Sequence, residues 1–210
     1  MPKLARLRAY CYEMIQIQGA ASAQKALQTI KWTKPHDVSA EIEFDASFKA
    51  ENMSGSWVFL IRDHDGSVVL TGRGRLNHVL SAFQAELISC LQGVQAAANL
   101  GVGKLILETD AQMVQQSMRS DIFDAMPEGA LVEELKFLAR VNFIDFVCNF
   151  QSRVGNRAAH ALAALGYECI EGEEVITNSV PENVLVIVLS NEIVKVQKKK
   201  KRNLRDSRCL

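Results

Sequence analysis

Between Glu41 and Thr109 the hydrophobic period of the chain changes in an order that few folds accept. From Glu41 to Phe48 the residues alternate. Ile42, Phe44, Ala46 and Phe48 face one way, and Glu41, Glu43, Asp45 and Ser47 the other, as in a strand with one apolar face. A second strand is expected from about Ser56 to Arg62. Asp65-Gly66 then supplies a tight turn, and Ser67 to Thr71 returns as a third strand, giving a hairpin. The short link from Glu51 to Gly55 makes strands one and two antiparallel as well. At Ser81, a good N-cap, the period becomes helical. Phe83, Leu87, Leu91, Val94 and Ala98 form a buried stripe, and Gly101 ends the helix. Lys104 to Thr109 is a β-rich apolar run reached by this helical crossover, and so parallel to the first strand. Two helices (Ala111 to Met118, Glu128 to Arg140), a fifth strand (Phe143 to Phe150) and an Ala-rich helix (Asn156 to Leu165, closed by Gly166) complete the pattern. The expected fold class is α/β: a mixed five-stranded sheet with an antiparallel hairpin and parallel central strands, flanked by helices.

This topology makes the first and fourth strands neighbours at the sheet centre. Asp45 and Asp110 then lie close together, and the helix carrying Glu86 crosses beside them. Carboxylates at that distance repel unless cations stand between them. Two divalent ions held there can activate a water and stabilise the leaving oxygen of a phosphodiester. Each acid alone has a structural reading. Asp110 suits a turn or cap, Glu86 a solvated helix face, and Asp45 an exposed place beside Glu41 and Glu43. It is the three in this order, on these elements, that point to phosphodiester chemistry.

The same residues carry a resemblance over about Ile42 to Gly166. Phe44-Asp45-Ala46-Ser47-Phe48, Ile61-Arg62-Asp63-His64-Asp65-Gly66, Ala85-Glu86-Leu87, Leu107-Glu108-Thr109-Asp110, and the run from Arg153 through Asn156 and His160 to Ala163 follow one another in order. Together they resemble the type 1 ribonuclease H domain, in its plant reverse-transcriptase-like, retroelement-related branch. The resemblance implies a metal-dependent endonuclease cutting the RNA strand of RNA–DNA hybrids. Asp45 would bridge two Mg2+ ions (Mn2+ is also suitable), and Glu86 and Asp110 would complete the ligand set. His160 falls at the fourth catalytic and metal-binding position, where active members carry an acid; magnesium prefers oxygen ligands. Phe150 falls near the place of a mobile histidine, and its neighbours Asn149 and Gln151 cannot act as a general base. Ser47, Gln84 and Asn156 are expected at the nucleic acid, with the 2′-hydroxyls distinguishing RNA. The implied partner is an RNA–DNA hybrid, with no small-molecule cofactor and a monomeric protein. The alternative is a catalytically silent module that binds nucleic acid or protein.

Charge and punctuation bound the rest. Net charge is zero, yet residues 195–210 hold eight Lys or Arg against one Asp, leaving +7 there and −7 on the remainder. An acidic body of this kind needs metal ions to bind phosphate. Cys11, Cys90, Cys148, Cys169 and Cys209 are odd in number and include no Cys-x-x-Cys pair, which argues against a disulfide framework or structural zinc. No apolar run reaches membrane-spanning length. His36, His64 and His78 show no ligand spacing, and Gly72-Arg73-Gly74 has no strand-to-helix phosphate loop around it. The expected organisation is a helical extension or linker over 1–35, the domain over 40–166, an extension over 167–194 and a basic tail over 195–210. Val184 to Leu189 reads as an added strand or apolar extension. Lys198 to Arg202 suits nuclear import or phosphate binding.

Overall fold

The computed structural model describes residues 39–153 and 155–181, with Val184, Ile187 and Val188 beyond them. The expected helical extension or linker over 1–35 and the basic tail over 195–210 lie outside the described residues.

Three antiparallel strands come first: β1 (Ser39–Lys49), β2 (Ser54–Arg62) and β3 (Val68–Asn77). Asp63 closes the β2–β3 turn, its Oδ1 accepting from Asp65 N and Ser67 N, both at 2.9 Å, while Gly66 takes φ +92°. Helix α1 (Ala82–Asn99) follows. Gly101, at φ +72°, turns the chain into β4 (Lys104–Thr109). The chain continues through α2 (Gln112–Ser117), a 3-10 turn (Asp121–Ala125), α3 (Gly129–Asn142), β5 (Asp145–Phe150) and α4 (Arg157–Gly166) to β6 (Glu174–Thr177). The sheet order is β5-β4-β1-β2-β3-β6, with β4 parallel to both β1 and β5. The first and fourth strands are therefore neighbours at the sheet centre, as the crossover rule requires.

One face of the sheet packs under α1 and α3. Ile42, Phe44, Phe59, Leu87, Val94, Leu105 and Leu135 sit in that core, each at most 1% exposed. Gly93 lets α1 close on the sheet, since a Cβ there would lie 3.1 Å from Ile42 Cγ2 and from Phe59 Cβ. The other face packs under α4, where Val58 and Leu60 meet Ala158, Ala159, Leu162 and Ala163.

Four features depart from the expectations above. The sheet has six strands, because β6 pairs antiparallel with β3 from Thr71↔Thr177 to Gly74↔Glu174. At four residues it is too short to show a period. Strand β3 also runs on past Thr71 through Gly72 and Gly74. Those glycines leave room for the stacked rings of Phe59 and Trp57, 5.9 Å apart; a Cβ on Gly74 would lie 2.5 Å from Trp57 Nε1. Val184, Ile187 and Val188 are helical rather than extended, and Val184 and Val188 join the α4 cluster.

The fourth departure concerns the polar side of β1. Glu41, Glu43 and Asp45 are buried, so the exposed reading of Asp45 does not hold. Glu43 is fully enclosed and receives the Nε of equally buried Arg62 at 2.7 Å. Arg62 also donates from Nη1 to Gly66 O at 3.0 Å, tying the pair to the hairpin turn. A charge can be buried in this way only when an opposite charge and hydrogen bonds accompany it.

Candidate active site

The N-terminal cap of α1 fixes where Glu86 stands. Ser81 Oγ accepts from Gln84 N at 3.0 Å, and Gln84 Oε1 accepts from Leu80 N at 2.7 Å, a reciprocal cap one residue longer than the usual box. Ser81 Oγ donates in turn to Glu128 Oε1 at 2.6 Å, joining this end of the helix to the start of α3. Three residues beyond Glu86, buried Ser89 anchors the helix to the sheet. Its hydroxyl is shared between Asp45 O at 2.9 Å and Val58 O at 2.7 Å, and it accepts from Val58 N at 3.2 Å. The helix is thereby bonded to the backbone of the very residue whose side chain faces Glu86.

Asp45 projects from β1, opposite Val58, on the face covered by α4. Its Oδ1 accepts from Ala46 N at 3.0 Å, and its Oδ2 lies 2.8 Å from His160 Nδ1. On the far side of the imidazole, His160 Nε2 is 3.4 Å from Arg153 Nη2. An arginine can only donate, so Nε2 accepts and Nδ1 carries the proton given to Asp45. This tautomer is assigned from the partners. Asp110 follows the last residue of β4. Its Oδ1 accepts from Asn156 Nδ2 at 2.8 Å, and the same amide donates to Phe44 O at 2.8 Å.

Burial and mutual repulsion both act on these acids. Enclosure raises the Asp45 carboxyl and the Asp110 charge raises it further, against the lowering effect of the His160 hydrogen bond. Glu86 is pushed well above the ordinary carboxylate range, first by enclosure and then by the charges of Asp45 and Asp110. Its Oε2 is enclosed and has no hydrogen-bond partner. An enclosed acceptor without a donor, next to two further carboxylates, is what a bound cation would satisfy. Among the described residues, no group of three or more His, Cys, Asp or Glu side chains stands ready to hold a metal ion. Asp45 and Asp110 instead each give one oxygen to a donor on or beside α4.

Asp45, Glu86, Asp110 and His160 thus come to one place, as their order along the chain implied. The three residues expected at the nucleic acid part company. Ser47 is half-buried, two residues beyond Asp45 on the same face of β1. Gln84 is occupied by the α1 cap, and Asn156 is fully buried beneath Asp110. Sequence reasoning missed Ser89, whose signal was a hydroxyl three residues past Glu86 within an apolar stripe. Arg153 opened the last of the five motifs but carried no expected role. Phe150, at 52% exposure, lies on edge strand β5. Cys148 O on that edge accepts from Arg119 Nη2 at 3.3 Å, so part of the edge is closed by a side chain.

The reverse transcriptase-like family matches residues 43–166, from just before Asp45 to the last residue of α4. The chain belongs to the reverse transcriptase-like family. Solved structures place this member in the type 1 ribonuclease H fold. The N-terminal ribonuclease H domain of a Mycobacterium tuberculosis protein is similar at a TM-score of 0.58 and 19% identity, covering 63% of this chain and 95% of its own. RNase H1 from Halobacterium salinarum NRC-1 is similar at 0.51 and 21%, covering 63% and 98%. LC11-RNase H1, isolated from compost and solved in complex with an RNA/DNA hybrid, is similar at 0.54 and 11%, covering 64% and 96%. No curated protein matches the chain.

Proposed function

We propose that this reverse transcriptase-like domain binds RNA–DNA hybrids and hydrolyses their RNA strand with the help of divalent cations, Mg2+ or Mn2+. The observation that carries the reading is the enclosed Glu86 Oε2, which has no hydrogen-bond partner and lies within the field of the Asp45 and Asp110 charges. Asp45, Glu86 and Asp110 would hold the cation, which supplies an activated water and a counter-charge for the phosphate. Ser89 and Asn156 position the acids, through the Asp45 backbone and the Asp110 carboxylate respectively. Ser47, half-buried two residues beyond Asp45, would contact the hybrid. A hybrid solved on LC11-RNase H1, which shares the fold, supports the choice of nucleic acid.

A second reading has its own observation. His160 Nδ1 donates to Asp45 Oδ2, where active members' fourth acid would instead offer a cation another oxygen, which favours a module that binds nucleic acid without cutting. One assay separates the two. Purified protein is given end-labelled hybrid, duplex RNA and duplex DNA of one sequence, in magnesium and in manganese. Cleavage confined to the RNA strand of the hybrid supports the enzyme. Retention of hybrid on the protein with no cut in either metal supports the binding module.

A further inference from the structure

We propose that Arg153 grips a phosphate of the bound strand at this site, so that Arg153, held by His160, supplies the positive charge that a second divalent ion would bring. The inference rests on the function proposed above.

Three observations carry it. First, His160 Nδ1 donates to Asp45 Oδ2 at 2.8 Å, so a cation approaching that oxygen would meet a protonated ring nitrogen. The acids would then hold one cation, on the side of the enclosed Glu86 Oε2. Second, the same imidazole faces Arg153 across its other nitrogen at 3.4 Å. The exposed guanidinium thereby lies across the ring from Asp45. Arg153 makes no other hydrogen bond or ion pair among the described residues. Most of its five N–H donors remain open, in the fork geometry that fits phosphate oxygens in pairs.

Third, the other nearby cations either are engaged elsewhere or make no contact with the site. Arg62 is buried with Glu43, and Arg119 donates to Cys148 O. Lys49, four residues beyond Asp45, lies 4.4 Å over the ring of Tyr167. Arg157 opens α4 on its exposed side and, among the described residues, has no hydrogen bond or ion pair to a site residue. Asp45, Glu86 and Asp110 would repel a phosphodiester backbone, so a cation in contact with the site is needed to hold one there. Arg153 is the arginine that makes such a contact.

The test is the affinity of the whole protein for a short RNA–DNA hybrid, read by fluorescence anisotropy in calcium across a salt series. Arg153→Gln is expected to weaken binding about tenfold and to lower the slope of log affinity against log salt by about 0.9, the change for one fewer phosphate neutralised. Arg153→Lys is expected to restore the slope and part of the affinity, since lysine keeps the charge but not the fork. Manganese titration of the hybrid complex is expected to give one ion per wild-type protein and two for His160→Asp. Wild-type affinity and slope in Arg153→Gln, or two ions in the wild type, would overturn this inference and leave the proposed function standing. A folded wild type that neither binds nor cuts hybrid would overturn both.

Discussion

Asn156 Nδ2 stands 2.8 Å from Asp110 Oδ1 and, with its other hydrogen, 2.8 Å from Phe44 O. One buried amide therefore ties the acid at the end of β4 to the backbone beside Asp45 on β1. The separation of the two acids is held by a residue at the start of α4, so the helix that carries His160 also sets the geometry of the carboxylates.

Asn156→Ala should release Asp110 and leave Phe44 O without its donor. Loss of a buried hydrogen-bonding group costs about 1–3 kcal/mol. Urea unfolding should show that loss with an unchanged slope, and manganese affinity should fall with it. A variant as stable as its parent would mean that Asn156 does not hold the acids.

The pH dependence of stability has a defined sign at Glu86. Its carboxyl is raised above the ordinary value of 4.5 by burial and by the charges of Asp45 and Asp110. The folded state then holds its proton more tightly than the unfolded chain does. The stability from this group is complete below the unfolded value and is lost as pH rises through the raised one. Without divalent ions, Glu86→Gln should therefore unfold at a higher temperature than the parent near pH 8. The gap should close as pH falls towards the ordinary carboxylate range. A gap independent of pH would contradict the assignment.

The buried Glu43–Arg62 pair makes a double-variant prediction. Arg62→Met alone leaves an enclosed carboxylate without its charge partner, at a cost of about 3–5 kcal/mol. Glu43→Gln combined with Arg62→Met should recover much of it. Chemical denaturation of the two single variants and the double one measures the coupling. Strict additivity would show that the two side chains do not act as a pair.

Gly166 sits where α4 meets the hairpin. A Cβ there would lie 2.6 Å from Ser56 Cβ and 3.0 Å from Gly74 O. Gly166→Val should lift the helix end and cost about 1–3 kcal/mol. Calorimetry should show a lower melting temperature. The parent's melting temperature in this variant would show that the packing there yields freely.

The order of strands and of α1 was legible because each rests on local chemistry. The alternation of Glu41 to Phe48, the Ser81 cap and the left-handed Gly101 are each readable within a few residues. The helical crossover then settles which strands are neighbours. The three acids were legible as a set because that topology brings their positions together. The burial of Glu43 was not, because alternation reports only that a face is polar; its enclosure needs α4 and Arg62. The full length of β3 was hidden too, since Gly72 and Gly74 bring no side chains to the pattern, and the need for them shows only where Phe59 and Trp57 lie over them. The grip of His160 on Asp45 joins residues from opposite ends of the domain, and no local pattern announces such a contact.

The most direct measurement is cleavage of a labelled RNA–DNA hybrid in magnesium and manganese by the wild type, Asp110→Asn and His160→Asp. The expected result is cutting of the RNA strand that Asp110→Asn abolishes and His160→Asp preserves or strengthens. Cutting that survives Asp110→Asn, or no cutting by folded wild type in either metal, would contradict the proposed function.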